Sequence, residues 1–506
     1  MKFISIVGIG AVVTLALVIS RTSETSILSL TGNNSTQFKG VDSRHLVIYP
    51  VPDGEVLSTD YSVEINGKEV GIQTARVNDV PYKMYDHGGT YSFINFDFRE
   101  SVHIRIASKR SLEMLQIRPL SLNMQRRVID EHTVELTLEK PCFISIEPEG
   151  KRHPLLIFAN PLEIDVPDMN DPAVIYYGPG IHNPEGGLIN LKSNQTLYLA
   201  GGAVVQAAIN VQDAENVTIR GRGILDGNSW EHAKGPVHHF VNIVSSRNIK
   251  IEGIILRGSF LWTLIPQNCD YVTVENIKIC GGRVLNDDGI NPCNTRHMKT
   301  RHCFIRTDDD CIAVKGMKDE WGDVEDIVFE DMVLWNDRSM VARFGVESRT
   351  RSMKNMVFRN IDIIHYGRIA FSFEPYDETM IQDVLVEDMR IEGDGQSLLI
   401  NVMPVIRPYY DNRIGGHVRN VHFKNVKLTG AWGDYGYASG PPYSIEVGAY
   451  DDKHYCKDII FEDIVILGEQ LTRESPRFIT KEDEKGAWFR PKQWFLSKAD
   501  TAVVVK

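Results

Sequence analysis

The stretch NMVFRNIDI, residues 355–363, returns 28 positions later as DVLVEDMRI, residues 383–391. In both, an Asn or Asp opens the unit, apolar residues hold the second, fourth, seventh and ninth places, and an Asn or Asp stands sixth. The same nine-residue form begins at Asn216, Asn248, Tyr271, His297, Asp326, Asn420 and Asp458. Apolar places two, four, seven and nine are two period-two pairs broken by a corner, whereas an amphipathic helix needs steps of three and four. Val, Ile and Phe fill most of them, and these residues suit strands. Returns of 23 to 38 residues fit one coil of a solenoid with loops of varying length. The sixth-place Asn and Asp would satisfy backbone groups at the bend and share that work from coil to coil. A parallel β-helix is therefore expected over residues 174–470, opening with the Gly-rich run from Tyr176, and a C-terminal tail of little periodicity over 471–506.

The whole chain of 506 residues exceeds what one hydrophobic core organises. From His45 onward LVIYPVP, YSVEI, TYSFINFDF, VHIRIA, TVELTLE and CFISIEP are short alternating runs, and Asn66-Gly67 after YSVEI is a strong hairpin signal. They predict an all-β chain in which an N-terminal β-sandwich, residues 27–165, precedes the β-helix. The run Val166-Pro167-Asp168-Met169-Asn170-Asp171-Pro172 reads as the boundary. Solenoid ends expose apolar faces, so the sandwich is expected to cap one of them. Residues 1–22 read as a signal peptide, Lys2 preceding an apolar run to Ile19, with an uncleaved anchor as the other reading. Secretion or a periplasmic location follows. Seven cysteines in so long a chain form no disulfide framework, although a bridge among Cys293, Cys303 and Cys311 stays open. The formal charge of −12 disfavours nucleic acid or an anionic membrane as partner.

The chemistry gathers at NDDGINPCNTRHMKTRHCFIRTDDDCIAVKG, residues 286–316. It carries Asp288 in one acidic knot and Asp309 with Asp310 in a second, Asp309 lying 21 positions after Asp288. Neighbouring coils lie about 4.8 Å apart, so acids one coil apart crowd each other and one retains its proton. Cleaving a glycosidic bond with inversion needs that pair: a protonated carboxyl beside the leaving oxygen and an ionised one beside a water on the opposite face. A single Asp at a solenoid corner more often caps a turn, as expected of Asp388 and Asp463; three in this order point to catalysis.

With these residues in view, the chain resembles the right-handed β-helix glycoside hydrolases of the polygalacturonase (family 28) and dextranase–isopullulanase (family 49) clan. GRGILDGNSW from Gly221 resembles the Gly-x-Gly-x-x-Asp-Gly segment of those helices. NDDG from Asn286 resembles their Asn-Thr-Asp-Gly, with Asp287 in the Thr place, and DDCIAVKG from Asp309 resembles their double-Asp motif. The resemblance implies an inverting glycoside hydrolase with no metal or cofactor and a polysaccharide or oligosaccharide as partner. It makes Asp309 the general acid and gives Asp288 and Asp310 the water, and the pairing of acids across one coil adds the expectation that Asp309 holds its proton longest. It departs from polygalacturonases where SMVARFGVES lacks their Gly-His-Gly histidine and Arg368-Ile369-Ala370 lacks their final Lys, while FGVESR from Phe344 resembles the dextranase side. Asn286, Lys315, Arg343, Glu347 and Arg368 are candidates for substrate binding, and Trp262, Trp335, Tyr366 and Tyr376 for stacking on sugars; Glu374 is a further acid. A β-helix polysaccharide lyase and a non-catalytic carbohydrate-binding solenoid are the alternatives, though a lyase needs a basic partner that the Asp trio lacks at matching spacing.

Overall fold

The computed structural model describes residues 45–78, 88–393, 398–404, 416–430, 443–448, 454–475, 478–479 and 503–506. The proposed export segment and residues 27–44 lie outside them. The described residues contain strands and three short 3₁₀ turns, and no α-helix.

In the nine-residue units, all eighteen first- and sixth-place residues have positive φ, from Asn216 and Gly221 to Asp458 and Asp463. Left-handed backbone is costly for most side chains and cheapest for Gly, Asn and Asp, which is why those residues fill most of these places. The corners also bond to one another. The Asn216 amide donates to Asn194 Oδ1 at 2.9 Å, Asn420 to Asp383 Oδ1 at 2.6 Å and Asn425 to Asp388 Oδ1 at 2.7 Å. Asp388 is thus a corner residue, as its position in the repeat predicts. Between the corners the alternation holds: in Met380–Ile391 the second, fourth, seventh and ninth places are buried while Asp383 and Asp388 are exposed.

Stacked in parallel register, these strands build a right-handed parallel β-helix. Early coils contribute two strands to its large sheet, as in Asn216's Glu215–Gly221 and Ile224–Asp226. Later ones merge them into one bent strand, as in Val324–Asn336. Rings inside stack from coil to coil, Phe344 on Phe373 at 4.3 Å and Phe423 on Phe461 at 5.1 Å. Beyond residue 470 the solenoid continues: Phe478–Ile479 pairs with Ser444–Val447, and Val503–Val505 with Cys456–Ile466. Strands of two and three residues are too short to show a period, so the tail's part in the coils was invisible in the sequence. All seven cysteines are free, which closes the question of a bridge among Cys293, Cys303 and Cys311.

The sandwich has a mostly antiparallel six-stranded sheet facing a five-stranded antiparallel one, with strands from Leu46–Ile48 to Leu155–Pro161. It does not sit on the end of the solenoid as expected. Its contacts run along a flank, from Tyr49 packed over Gly201 to Arg118 paired with Glu392. Phe93 and Phe158 join Ile224, Ile255, Phe304, Trp335 and Ile364 in one apolar cluster across the junction. Buried polar bonds pin it: Arg222 Nε lies 2.9 Å from both oxygens of Asp97, and Lys278 donates to Asn160 Oδ1 at 2.8 Å. His365 meets Glu147 at 3.0 Å.

The remaining face of the solenoid carries the candidate site. Its strands Leu188–Leu191, Ala208–Gln212, Val241–Val244 and Leu264–Gln267 are followed, after an interruption, by Ile312–Val314, Met340–Phe344, Ile369–Phe373, Leu398–Val402 and Ser444–Val447. The interruption is the coil of NDDG, joined to its neighbours by single bridges at Ile290 and Cys293. Gly289 is what the close approach demands there, since a Cβ on it would lie 2.4 Å from the Cys311 carbonyl oxygen.

Candidate active site

The bridge between Ile290 and Ile312, and the 2.9 Å bond from Gly289 N–H to Asp310 O, set the register of the two acidic corners. Asp288 therefore falls level with Asp310, and Asp287 level with Asp309. The 21-residue interval in the sequence is thus one short of the structural repeat.

Asp287 ties the corners together. One of its oxygens accepts the N–H of Gly282 at 2.6 Å and of Arg283 at 3.2 Å, and the other accepts Asp308 at 2.7 Å and Asp309 at 3.2 Å. Burial and the charge of Asp308 push its pKa up, against the pull of these donors. A carboxylate in the Thr place of the motif thus serves the backbone of both coils.

Asp288 and Asp310 are buried, while the side chain of Asp309 keeps 14% of its exposure. Asp288 Oδ2 accepts the Asn291 amide at 2.7 Å and Lys315 Nζ at 3.3 Å. Burial pushes its pKa up to about 7; the Lys315 charge opposes this, and the charges of Asp309 and Asp310 add to it. Asp310 Oδ1 accepts Ser339 Oγ at 2.7 Å and Met340 N–H at 3.1 Å, and Oδ2 faces Arg343 at 3.6 Å. Burial raises this carboxyl too.

Asp309 behaves oppositely. Burial pushes it up, but the Arg338 charge, a Ser339 hydrogen bond and the charges of Arg343 and Lys315 outweigh burial and hold it at about 2. Its Oδ2 accepts Arg338 Nη2 at 3.0 Å and the Asn286 amide at 3.2 Å. The expectation that Asp309 holds its proton longest is corrected here: beside Arg338 it is the most readily ionised of the three.

The other sequence candidates gather round this trio. Lys315 bridges Asp288 to Glu347, whose Oε2 is also 3.3 Å from Nζ, and lies 3.5 Å above the Trp262 ring. Arg343 links Asp310 to Glu374, 2.8 Å away. Arg368 lies close enough for the charges of Arg343 and Arg338, after burial, to lower its pKa. Of the four aromatics, Trp335, Tyr366 and Tyr376 are buried and Trp262 is half-buried. Trp262 stacks on His239 at 4.9 Å as well as carrying Lys315, so it serves as the seat of that lysine. Sequence reasoning missed Asp287, Arg338 and Ser339. The last two come from the corner after Val324–Asn336, one coil beyond the double Asp, and Ser339 with Arg343 meets Asp310 in the very segment that lacks a His.

Residues 185–437, half of the chain, match the family described as glycosyl hydrolases family 28. A probable polygalacturonase of Vitis vinifera is 31% identical over 248 residues, which cover 48% of this chain and 42% of that protein. A probable polygalacturonase of Arabidopsis thaliana is 30% identical over 106 residues, 20% of this chain and 23% of that one. The chain thus spans less than half the length of either relative. Among solved structures, Dex49A from Penicillium minioluteum superposes with a TM-score of 0.63, covering 85% of this chain and 92% of that one at 14% identity. That likeness is one of fold.

Proposed function

Because the chain belongs to glycosyl hydrolase family 28, we propose that it hydrolyses glycosidic bonds of a polysaccharide with inversion, using Asp288, Asp309 and Asp310. The observation that carries this reading is the trio itself: three carboxyls on adjacent coils, pushed apart in their affinity for a proton.

In the productive state one proton sits on Asp309, the most exposed of the three, against the leaving glycosidic oxygen. Asp288 and Asp310 are then ionised and hold a water on the other face of the sugar. As the water oxygen bonds to the anomeric carbon, the bond to the leaving oxygen breaks, that oxygen takes the Asp309 proton, and a water proton passes to Asp288 or Asp310. The trio again holds one proton, so the site resets by moving it. Lys315 beside Asp288 and Arg343 beside Asp310 favour the ionised partners this requires. Asn286, Glu347 and Arg368 would contact the sugar. We further infer export through residues 1–22.

The test is release of reducing ends from polygalacturonate and from dextran by the purified protein, with the anomer of the first product read by NMR. Inverted product, lost in Asp309→Asn, is expected. An unsaturated product absorbing in the ultraviolet, or a retained anomer, would refute the mechanism.

A further inference from the structure

Arg338 spans two carboxylates of unequal standing. Its Nε donates to Asp308 Oδ2 at 2.7 Å, and its Nη2 donates to Asp309 Oδ2 at 3.0 Å. Asp308 is fully buried, whereas Asp309 is the partly exposed member of the trio. One end of the guanidinium is therefore anchored inside the protein, and the other lies at the edge where a sugar oxygen would arrive. A small rotation about the anchored bond breaks the second without stranding the charge, because Asp308 keeps its partner.

The backbone holds the arginine in that place. Gly367 packs so closely that a Cβ there would lie 2.3 Å from the Arg338 carbonyl carbon, and Arg368 N–H bonds to Ser339 O at 2.8 Å. The catalytic reading needs a proton on Asp309, and the contact with Arg338 opposes it.

We propose that Arg338 is a positioning residue that decides where the trio's single proton rests: it keeps Asp309 ionised before substrate binds, parking the proton on Asp288 or Asp310, and frees Asp309 when a sugar enters. The inference rests on the catalytic reading above. Other charges facing Asp309 also bear on it. Lys315 and Arg343 approach from the neighbouring strands but are bound to Asp288 and Asp310. Arg368 comes from the next coil and also carries a charge that acts on Asp309, and Asp288, Asp308 and Asp310 repel a charge on Asp309 and so favour its protonation. Among the cations, Arg338 bears most strongly on Asp309, to which its Nη2 donates at 3.0 Å.

The experiment is the pH dependence of kcat/KM and kcat for the full chain on whichever of polygalacturonate or dextran it cleaves, with Asp309→Asn as control. In Arg338→Gln the alkaline limb of kcat/KM should move up by about one pH unit or more, since a cation next to the trio is gone. The limb of kcat should stay, because bound sugar has already released Asp309. Arg338→Lys keeps the charge and should keep the limb. Since Arg338→Gln strands buried Asp308, Asp308→Asn/Arg338→Gln is measured beside it and should show the same shift. An unmoved limb in an active variant overturns the proposal, and so does an equal shift in kcat, which would mean that Arg338 stays on Asp309 in the complex. If Asp309→Asn itself retains near-normal activity, the catalytic reading fails and this proposal with it.

Discussion

Lys315→Met removes the cation that holds Asp288 open to ionisation, and its effect can be worked from the distances. A unit charge 3.3 Å from Asp288 Oδ2 contributes about 5 kcal/mol at an effective dielectric of about 20, or about 3.7 pH units. That is a ceiling, because the ammonium is shared with Glu347 at the same distance; about half, some two units, is the working figure. Asp288 already holds its proton to about pH 7, so in the variant the last proton of the trio should leave near pH 9, and the alkaline limb of kcat/KM should rise accordingly. Yet kcat should fall, by up to about 100-fold, because shifting the proton from Asp288 to Asp309 costs up to two units more, less what Asp309 itself gains from the loss of the Lys315 charge. Methionine keeps the stem and a favourable contact with Trp262, and Glu347 is exposed enough to rehydrate. The sign for stability follows from the raised carboxyl: its contribution is complete below the unfolded value near pH 4 and is lost as pH rises through the folded value. The variant should therefore be most robust in mild acid and weaken up to about pH 9, where the parent stops weakening from this group near 7. Steady-state profiles and urea titrations at several pH values measure both. A variant with its limb unmoved would show that Lys315 does not govern Asp288.

Asp309→Asn should fold as the parent does and lose about 10² to 10⁴ in kcat, the usual worth of a general acid, with substrate affinity kept in a binding titration. Gly289→Ala forces a Cβ to 2.4 Å from the Cys311 carbonyl oxygen, so it should pry the two acidic corners apart and cut kcat more than it lowers the unfolding midpoint; unchanged kcat would count against the register described. Arg222→Met leaves the buried Asp97 without the guanidinium whose Nε faces both its oxygens and should cost about 3–5 kcal/mol in urea unfolding, whereas Arg222→Met with Asp97→Leu should recover most of it. A single variant as stable as the parent would show that this pair does not hold the sandwich to the solenoid.

What the sequence made legible was periodic. Each nine-residue unit states its own alternation and its own left-handed corners, so coil after coil could be read without knowing what lay beside it, down to Asp388 as a corner residue. Short strands such as Val503–Val505 join a coil on pairing alone and carry no period. The flank position of the sandwich was hidden for a different reason: Asp97, Asn160 and Glu147 pair with residues more than 100 positions away, and a lone polar residue in a strand does not name its partner. At the site, the motifs located the acids but not their protonation, because burial and neighbouring cations act through space. Arg338 illustrates the gap. It lies 29 positions after Asp309, one coil length in that region, so spacing places it over the acids. It belongs to no acidic motif, however, and its bonds to Asp308 and Asp309 reveal which carboxyl gives up its proton first. Motif residues fix which groups can react, and the charges stacked one coil away fix the order in which they do so.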